Sequence, residues 1–307
     1  MEHDSAAFKS NDMEKAICYP KGDPDAIYIR KSDIELLQPE KCLNDNIIDF
    51  YIKYLINNKL PSDKQKRFHF FNCFFFPKLV DLSTDNRSIA CDGKAAFQRV
   101  STWGRKVNLF KTDYIFIPIN YSLHWSLIVI CHPAEVMTCY RDEETKGSPK
   151  EACILHMDSR KGIHQDLHNV FQSYLCEEWK ERHNNVRDDD VSSIFLHLPF
   201  VPLELPQQQN AYDCGIFLLH YVERFLEQAP INFNRSMISK FSYWFPPPDA
   251  PLKRSHIQKL LIGMNLFTYQ LISCVHFLLF TLVFFYFLGD ITKFDFYFKI
   301  LNFIVCV

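Results

Sequence analysis

"PQQQNAYDCGIFLLHY", Pro206 to Tyr221, is the stretch on which the fold turns. Glutamines, an Asn and an Asp lead into Cys214 and Gly215, and the apolar run that follows continues as "CGIFLLHYVERFLE". This run reads as a helix that is apolar on most sides in its first turns, which suits a core. Cys214 then stands where a loop ends and a helix begins, so unpaired backbone N–H groups and the positive end of the macrodipole face its sulfur. A thiol attacks only as the thiolate, and such a position favours that form. A plain buried thiol is the alternative reading, because free cysteines are among the most buried residues. Gly215 would let the backbone pass close to whatever is attacked.

An attacking cysteine needs a histidine from another element. In "DYIFIPINYSLHWSLIVICH", Asp113 to His132, two β-rich runs are separated by Asn120, Tyr121 and Ser122, and "ACILHMDS", Ala152 to Ser159, supplies a third strand. Together they form the centre of a sheet. His124 opens the second run directly after a turn, where an imidazole can project from the sheet edge. The other eleven histidines fit less well. His132 precedes Pro133, while His164 and His168 sit at i, i+4 on an exposed helix without a Cys or carboxylate to complete a zinc site. His69, His197 and His220 lie in apolar runs and read as core residues. Asp158 ends the third strand at the same edge as His124 and suits the carboxylate that orients an imidazole. Asp213 reads instead as a helix cap. An oxyanion would need fixed donors, and the Cys214 backbone N–H with the Gln208 side-chain amide supplies two. This chemistry calls for no metal or organic cofactor.

Residues 1–24 read as a flexible polar lead-in, 25–262 as the folded domain and 263–307 as a hydrophobic tail. "LNDNIIDFYIKYLINN", Leu43 to Asn58, is an amphipathic helix with Asn44 or Asp45 as its N-cap. "FHFFNCFFFPKL", Phe68 to Leu79, reads as buried, and a further helix is expected over Lys94 to Trp103. Residues 132–152 read as an exposed, mobile loop inserted between two strands. "HQDLHNVFQSYLCEEWKER" follows the third strand as a surface helix, and "SIFLHLPFV", Ser193 to Val201, is a fourth strand candidate.

The 307 residues carry a net charge of −2 with no long run of like charges, which excludes an electrostatic nucleic-acid binder. The 11 cysteines form no C-x-x-C pair and no secretory signal follows Met1, a pattern of reduced thiols in the cytosol or nucleus. Residues 264–289 carry no formal charge apart from a protonated His276 and are long enough to span a bilayer. They have two readings: a membrane anchor, or a splice or gene-model tail of thymine-rich origin, with ten Phe between Gly263 and Val307.

The order His-Trp, then Asp-Ser, then Q-x-N-x-x-D-C-G resembles the ubiquitin-like-protein-specific protease family, the Ulp/SENP deSUMOylating cysteine proteases, over roughly Ile27 to Leu260. "LNDNIIDFYIKYL" and "HFFNCFFFPKL" look like the branch that trims poly-SUMO chains, in a plant-like form. The resemblance implies an α+β, papain-like fold, with a central mixed sheet flanked by helices and the nucleophile at a helix N-terminus. It carries His124, Asp158 and Cys214 over as the triad and Gln208 as the oxyanion-hole residue. It further implies SUMO and SUMO-conjugated proteins as partners, with Trp125 roofing a tunnel for the Gly-Gly end and Asp45 contacting a basic residue of SUMO. A core tryptophan and a helix cap are the plainer readings of those two. Cys42 stands where many members have a second tryptophan. The implied activity is isopeptide cleavage of SUMO from lysine, with precursor processing beside it, in the nucleus or cytoplasm, or at a membrane if the tail is an anchor. An inactive SUMO-binding scaffold and a Rub/Nedd-directed protease are the rival readings.

Overall fold

The computed structural model describes residues 16–81, 93–105, 107–137, 150–161, 167–183, 188–228, 233, 235–288 and 291–306. Ordered backbone begins earlier than the sequence suggested, because Ile17–Tyr19 (β1) pairs antiparallel with Ile27–Ile29 (β2), Cys18 opposite Tyr28. Strands of three residues are too short to show a two-residue period. Helices Lys31–Glu35 (α1) and Asp45–Asn58 (α2) follow, then Ser62–Gln65 (α3), Phe68–Phe70 (β3), Phe75–Val80 (α4) and Gly93–Val100 (α5). Asn44, not Asp45, caps α2: its Oδ1 accepts the Ile47 N–H at 3.2 Å.

The three long apolar runs become Tyr114–Tyr121 (β4), His124–Cys131 (β5) and Cys153–Asp158 (β6). After them come Leu167–Arg182 (α6), Asp188–Leu196 (α7), Phe200–Pro202 (β7) and Cys214–Gln228 (α8). The main sheet has the order β3-β4-β5-β6-β7, antiparallel in its middle pairs and parallel at both edges, so it is mixed. Of its central strands β5 and β6 are buried throughout and β4 is buried from Tyr114 to Ile119, because both faces are covered. Ile115, Ile117 and Ile119 of β4 enter the same apolar cluster as Phe75 of α4 and Phe171 of α6. The alternate residues Tyr114 and Phe116 meet Phe225 of α8 edge-on, with ring centroids 5.1 and 5.3 Å apart.

The fourth strand candidate begins as helix, over Ser193 to Leu196, and becomes strand only at its end. Val191, Ile194, Phe195 and Leu198 are buried at helical spacing, a stripe that begins before the window read as a strand, and only 200–202 pair with β6. His197 is consequently exposed at the helix end rather than buried in the core. The start of the inserted loop also differs from expectation: His132 is buried, and its Nε2 accepts the Phe233 N–H at 3.2 Å. Residues 138–149 of that loop, and His164, lie outside the described residues. Phe74, in the aromatic stretch read as buried, is 56% exposed.

The chain divides into two units, residues 1–255 and 256–307. Helix Ala250–Leu288 (α9) begins in the first and continues through the second without a break at Gly263, and Ile291–Cys306 (α10) follows. Among the described residues no helix is long and apolar enough to cross a membrane. The side chains of 265–277 and 284–290, most of the run read as a possible anchor, lie outside the described residues.

Candidate active site

Sheet register brings the first two functional side chains together. Ser126 of β5 lies opposite Asp158 of β6, so His124, two residues earlier on the same face, is the diagonal neighbour of Asp158. His124 Nε2 and Asp158 Oδ1 are 2.6 Å apart, and both residues are buried. The Arg160 N–H donates to the same oxygen at 2.8 Å, and Gln207 Nε2 donates to the Asp158 carbonyl at 3.0 Å. His124 follows a two-residue turn whose Ser122 and Leu123 both have positive φ, 52° and 59°. Neither is a glycine, so the turn holds strain of about 1–2 kcal/mol per residue to set the histidine at the strand's first position.

Cys214 starts α8, buried at 2% exposure, and His124 is hydrogen-bonded to it as well as to Asp158. With Nε2 committed to the carboxylate, Nδ1 is the ring nitrogen left for the thiol. Burial works against the imidazolium, but the hydrogen bonds and charges of Asp158 and Cys214 outweigh it and push the His124 pKa up to about 9. Burial likewise disfavours the Asp158 carboxylate, yet the His124 and Arg160 hydrogen bonds hold its pKa below the usual value. A protonated imidazole between a carboxylate and a sulfur is suited to nucleophilic attack by the sulfur and proton delivery by the ring.

Asp213 does not cap α8 with its side chain. Its backbone carbonyl accepts the first helical N–H, from Phe217 at 2.9 Å, while its carboxylate binds Arg254 and Asn210. Arg254 Nε and Nη2 reach Asp213 Oδ1 at 2.8 and 2.6 Å, and Nη1 donates to the Leu36 carbonyl at 3.1 Å. Asn210 Oδ1 accepts the Tyr212 and Asp213 N–H groups at 3.1 and 2.9 Å, turning the chain into the helix. Gly215 has a packing role: a Cβ built on it would lie 3.1 Å from Leu43 Cβ and 3.4 Å from Ile48 Cδ1. The Leu43 carbonyl in turn accepts Trp125 Nε1 at 3.0 Å.

Gln208 lies on this loop, but its amide is engaged locally. Oε1 accepts from Ser159 Oγ at 2.5 Å, and Nε2 donates to the Asn210 carbonyl at 2.6 Å. Trp125 is buried, and Asp45 is half-buried in the first turn of α2. Sequence reasoning did not single out Gln207, Ser159 or Arg254. Arg254 left one signal, a basic residue at helical spacing with Ile257 and Leu261, which calls for a buried anionic partner. Gln207 and Ser159 left none, because nothing local says where a loop amide or hydroxyl points. Among the described residues no cluster of His, Cys, Asp and Glu could hold a metal ion.

Over 253 residues the chain is 60% identical to the Arabidopsis thaliana protein named probable ubiquitin-like-specific protease 2B, covering 81% of this chain and 27% of that one. Probable ubiquitin-like-specific protease 2A of the same plant is 49% identical over 271 residues, 86% of this chain and 34% of its own. The chain thus spans about a quarter to a third of the length of these curated relatives. Among solved structures, the C-terminal Ulp1 protease domain in complex with Smt3, the yeast ortholog of SUMO, superposes with a TM-score of 0.52 at 25% identity, covering 81% of this chain and 88% of that one. Residues 41–273, which carry all three residues of the His124, Asp158 and Cys214 cluster, match the family described as "Ulp1 protease family, C-terminal catalytic domain", and the chain belongs to that family.

Proposed function

We propose that this chain is a cysteine isopeptidase that removes SUMO from lysine side chains. The observation that carries the reading is the single imidazole of His124 hydrogen-bonded on one side to Asp158 and on the other to Cys214 at a helix N-terminus. The Cys214 thiolate attacks the carbonyl of the terminal glycine, and the oxyanion is met by the Cys214 N–H and by Gln208 after its amide turns from the Asn210 carbonyl. His124 gives its proton to the departing lysine amine, and Asp158 keeps the ring oriented and its charged form stable. Water, deprotonated by His124, then hydrolyses the thioester.

SUMO is favoured as the modifier by the likeness to a protease domain solved with Smt3. In this reading Trp125 walls the channel for the Gly-Gly end, Asp45 meets a basic residue of SUMO, and poly-SUMO chains are among the substrates. The nucleus or cytoplasm, where thiols stay reduced, is the proposed place of action. The test is cleavage of a SUMO–lysine conjugate by the full chain and by Cys214→Ser. Loss of cleavage with retained SUMO binding is expected, and cleavage by the serine variant would overturn the assignment. Probes of SUMO and Rub/Nedd carrying C-terminal electrophiles address the modifier: labelling by the SUMO probe is expected, and labelling by the Rub/Nedd probe alone would overturn SUMO.

A further inference from the structure

Cys42 is the exposed cysteine among the described ones, and it lies in the irregular segment just ahead of α2. Its neighbour Leu43 presses on the start of α8, within 3.1 Å of where a Gly215 Cβ would lie, and is held there by Trp125. Cys42 and Cys214 therefore each adjoin one member of a touching pair. The closeness is also felt electrostatically: burial raises the Cys42 pKa first, and charge on Cys214 raises it further. The cross-strand pair Cys131 and Cys153 is wholly buried in the sheet, where a dissolved oxidant has no approach. Cys42, by contrast, is open to solvent at the edge of the reactive thiol.

We propose that Cys42 and Cys214 form a site of reversible oxidation, closed into a disulfide by hydroperoxides and reopened by dithiols. The inference rests on the reading of Cys214 as a nucleophilic thiolate. That thiolate attacks the terminal oxygen of the peroxide, the O–O bond breaks, and the leaving alkoxide or hydroxide takes up a proton. Sulfur is oxidised by two electrons to the sulfenic acid and the peroxide is reduced by two. The Cys42 sulfur then attacks the Cys214 sulfur and displaces hydroxide, which leaves as water with the Cys42 proton. A dithiol returns both cysteines to thiols and is itself oxidised to a disulfide. Closure requires the Cβ atoms to come to about 4 Å, a shift supplied by the irregular segment 41–44 rather than by α8. The closed form has no free nucleophile and is protected from further oxidation to sulfinic acid.

The test uses the full chain treated with graded hydrogen peroxide, beside Cys42→Ser, each normalised to its own untreated rate. Digestion without reductant should yield a peptide pair joined through Cys42 and Cys214. After dithiothreitol the unsubstituted chain should recover to within about two-fold of its starting cleavage rate, while Cys42→Ser regains less than about a tenth and carries Cys214 sulfinate. Absence of the joined peptides, or equal recovery by Cys42→Ser, would overturn the proposal. A failure of the isopeptidase reading shows separately, as absence of cleavage before any peroxide is added, and the joined peptides still decide the disulfide.

Discussion

Arg254 and Asp213 form a buried ion pair at the root of the nucleophile helix, with Nε and Nη2 of the guanidinium converging on one carboxylate oxygen at 2.8 and 2.6 Å. The same guanidinium holds the carbonyls of Leu36, Gln38 and Tyr212, at 3.1, 3.4 and 3.1 Å. One side chain from α9 thus fixes both the loop that carries Cys42 and the turn that delivers Cys214.

Removing that guanidinium leaves a carboxylate buried and unpaired. Arg254→Met should cost about 3–5 kcal/mol of unfolding free energy, measured by urea denaturation. Arg254→Lys keeps the charge but not the fork and should lie between the two. Wild-type stability in Arg254→Met would show that the pair does not anchor the helix.

The His124 pKa of about 9 sets an alkaline limit on cleavage. Above it the ring has lost the proton that the leaving amine must receive, so kcat/KM for a SUMO–lysine conjugate should fall, while alkylation of Cys214 by a neutral electrophile should not. Asp158→Asn removes the largest stabiliser of the imidazolium. It should lower the rate about 10²- to 10⁴-fold and move the alkaline limit to lower pH. An unmoved limit would assign the titration to another group.

The same groups make stability depend on pH in opposite senses. His124 is raised in the fold, so its contribution is complete below pH 6.5, the ordinary histidine value, and is lost as pH rises through about 9. His69 is lowered by burial to about 4 and His220 by burial and the nearby Lys253 and Arg224 to about 2. Their contribution is complete above pH 6.5 and is lost progressively as pH falls toward those values. Melting temperature should therefore decline on both sides of neutrality, and Asp158→Asn should flatten the alkaline side and also remove the part of the acid decline that comes from Asp158, whose own pKa the fold holds low.

Gly215→Ala opposes helix propensity to contact. Alanine favours a helix interior by up to about 1 kcal/mol, yet its Cβ would press on Leu43, whose carbonyl is held by Trp125. The two effects should nearly cancel in the melting temperature while displacing Leu43, so kcat/KM should drop with stability little changed. Unchanged kcat/KM would mean that the Leu43 loop yields without affecting the site.

Much of this was legible in the sequence, because the signals were local. Uninterrupted apolar runs marked β4, β5 and β6, and the residues at their ends, His124 and Asp158, followed from strand length and turn position. The abrupt change at Cys214 marked a helix start for the same reason. A local window is too narrow elsewhere: the helical stripe from Val191 to Leu198 straddles the start of the apolar run Ser193 to Val201, and β1 and β2 are too short to show a period.

What tertiary structure alone decided concerns side chains whose partners are far away in the chain. Asp213 was read as a cap from its place before a helix, and only folding brought Arg254, 41 residues later, to claim its carboxylate. Gln208 was read as an oxyanion donor, and only folding engaged its amide with Ser159 and Asn210. Cys42 was only a departure from a tryptophan in the sequence, and it is the packing of Leu43 on Gly215 that brings its segment to the start of the helix carrying Cys214. Periodicity and residue type determine which groups a strand or helix offers and in which direction, whereas the pairing of a buried polar group depends on which distant donor or acceptor close packing brings within about 3 Å.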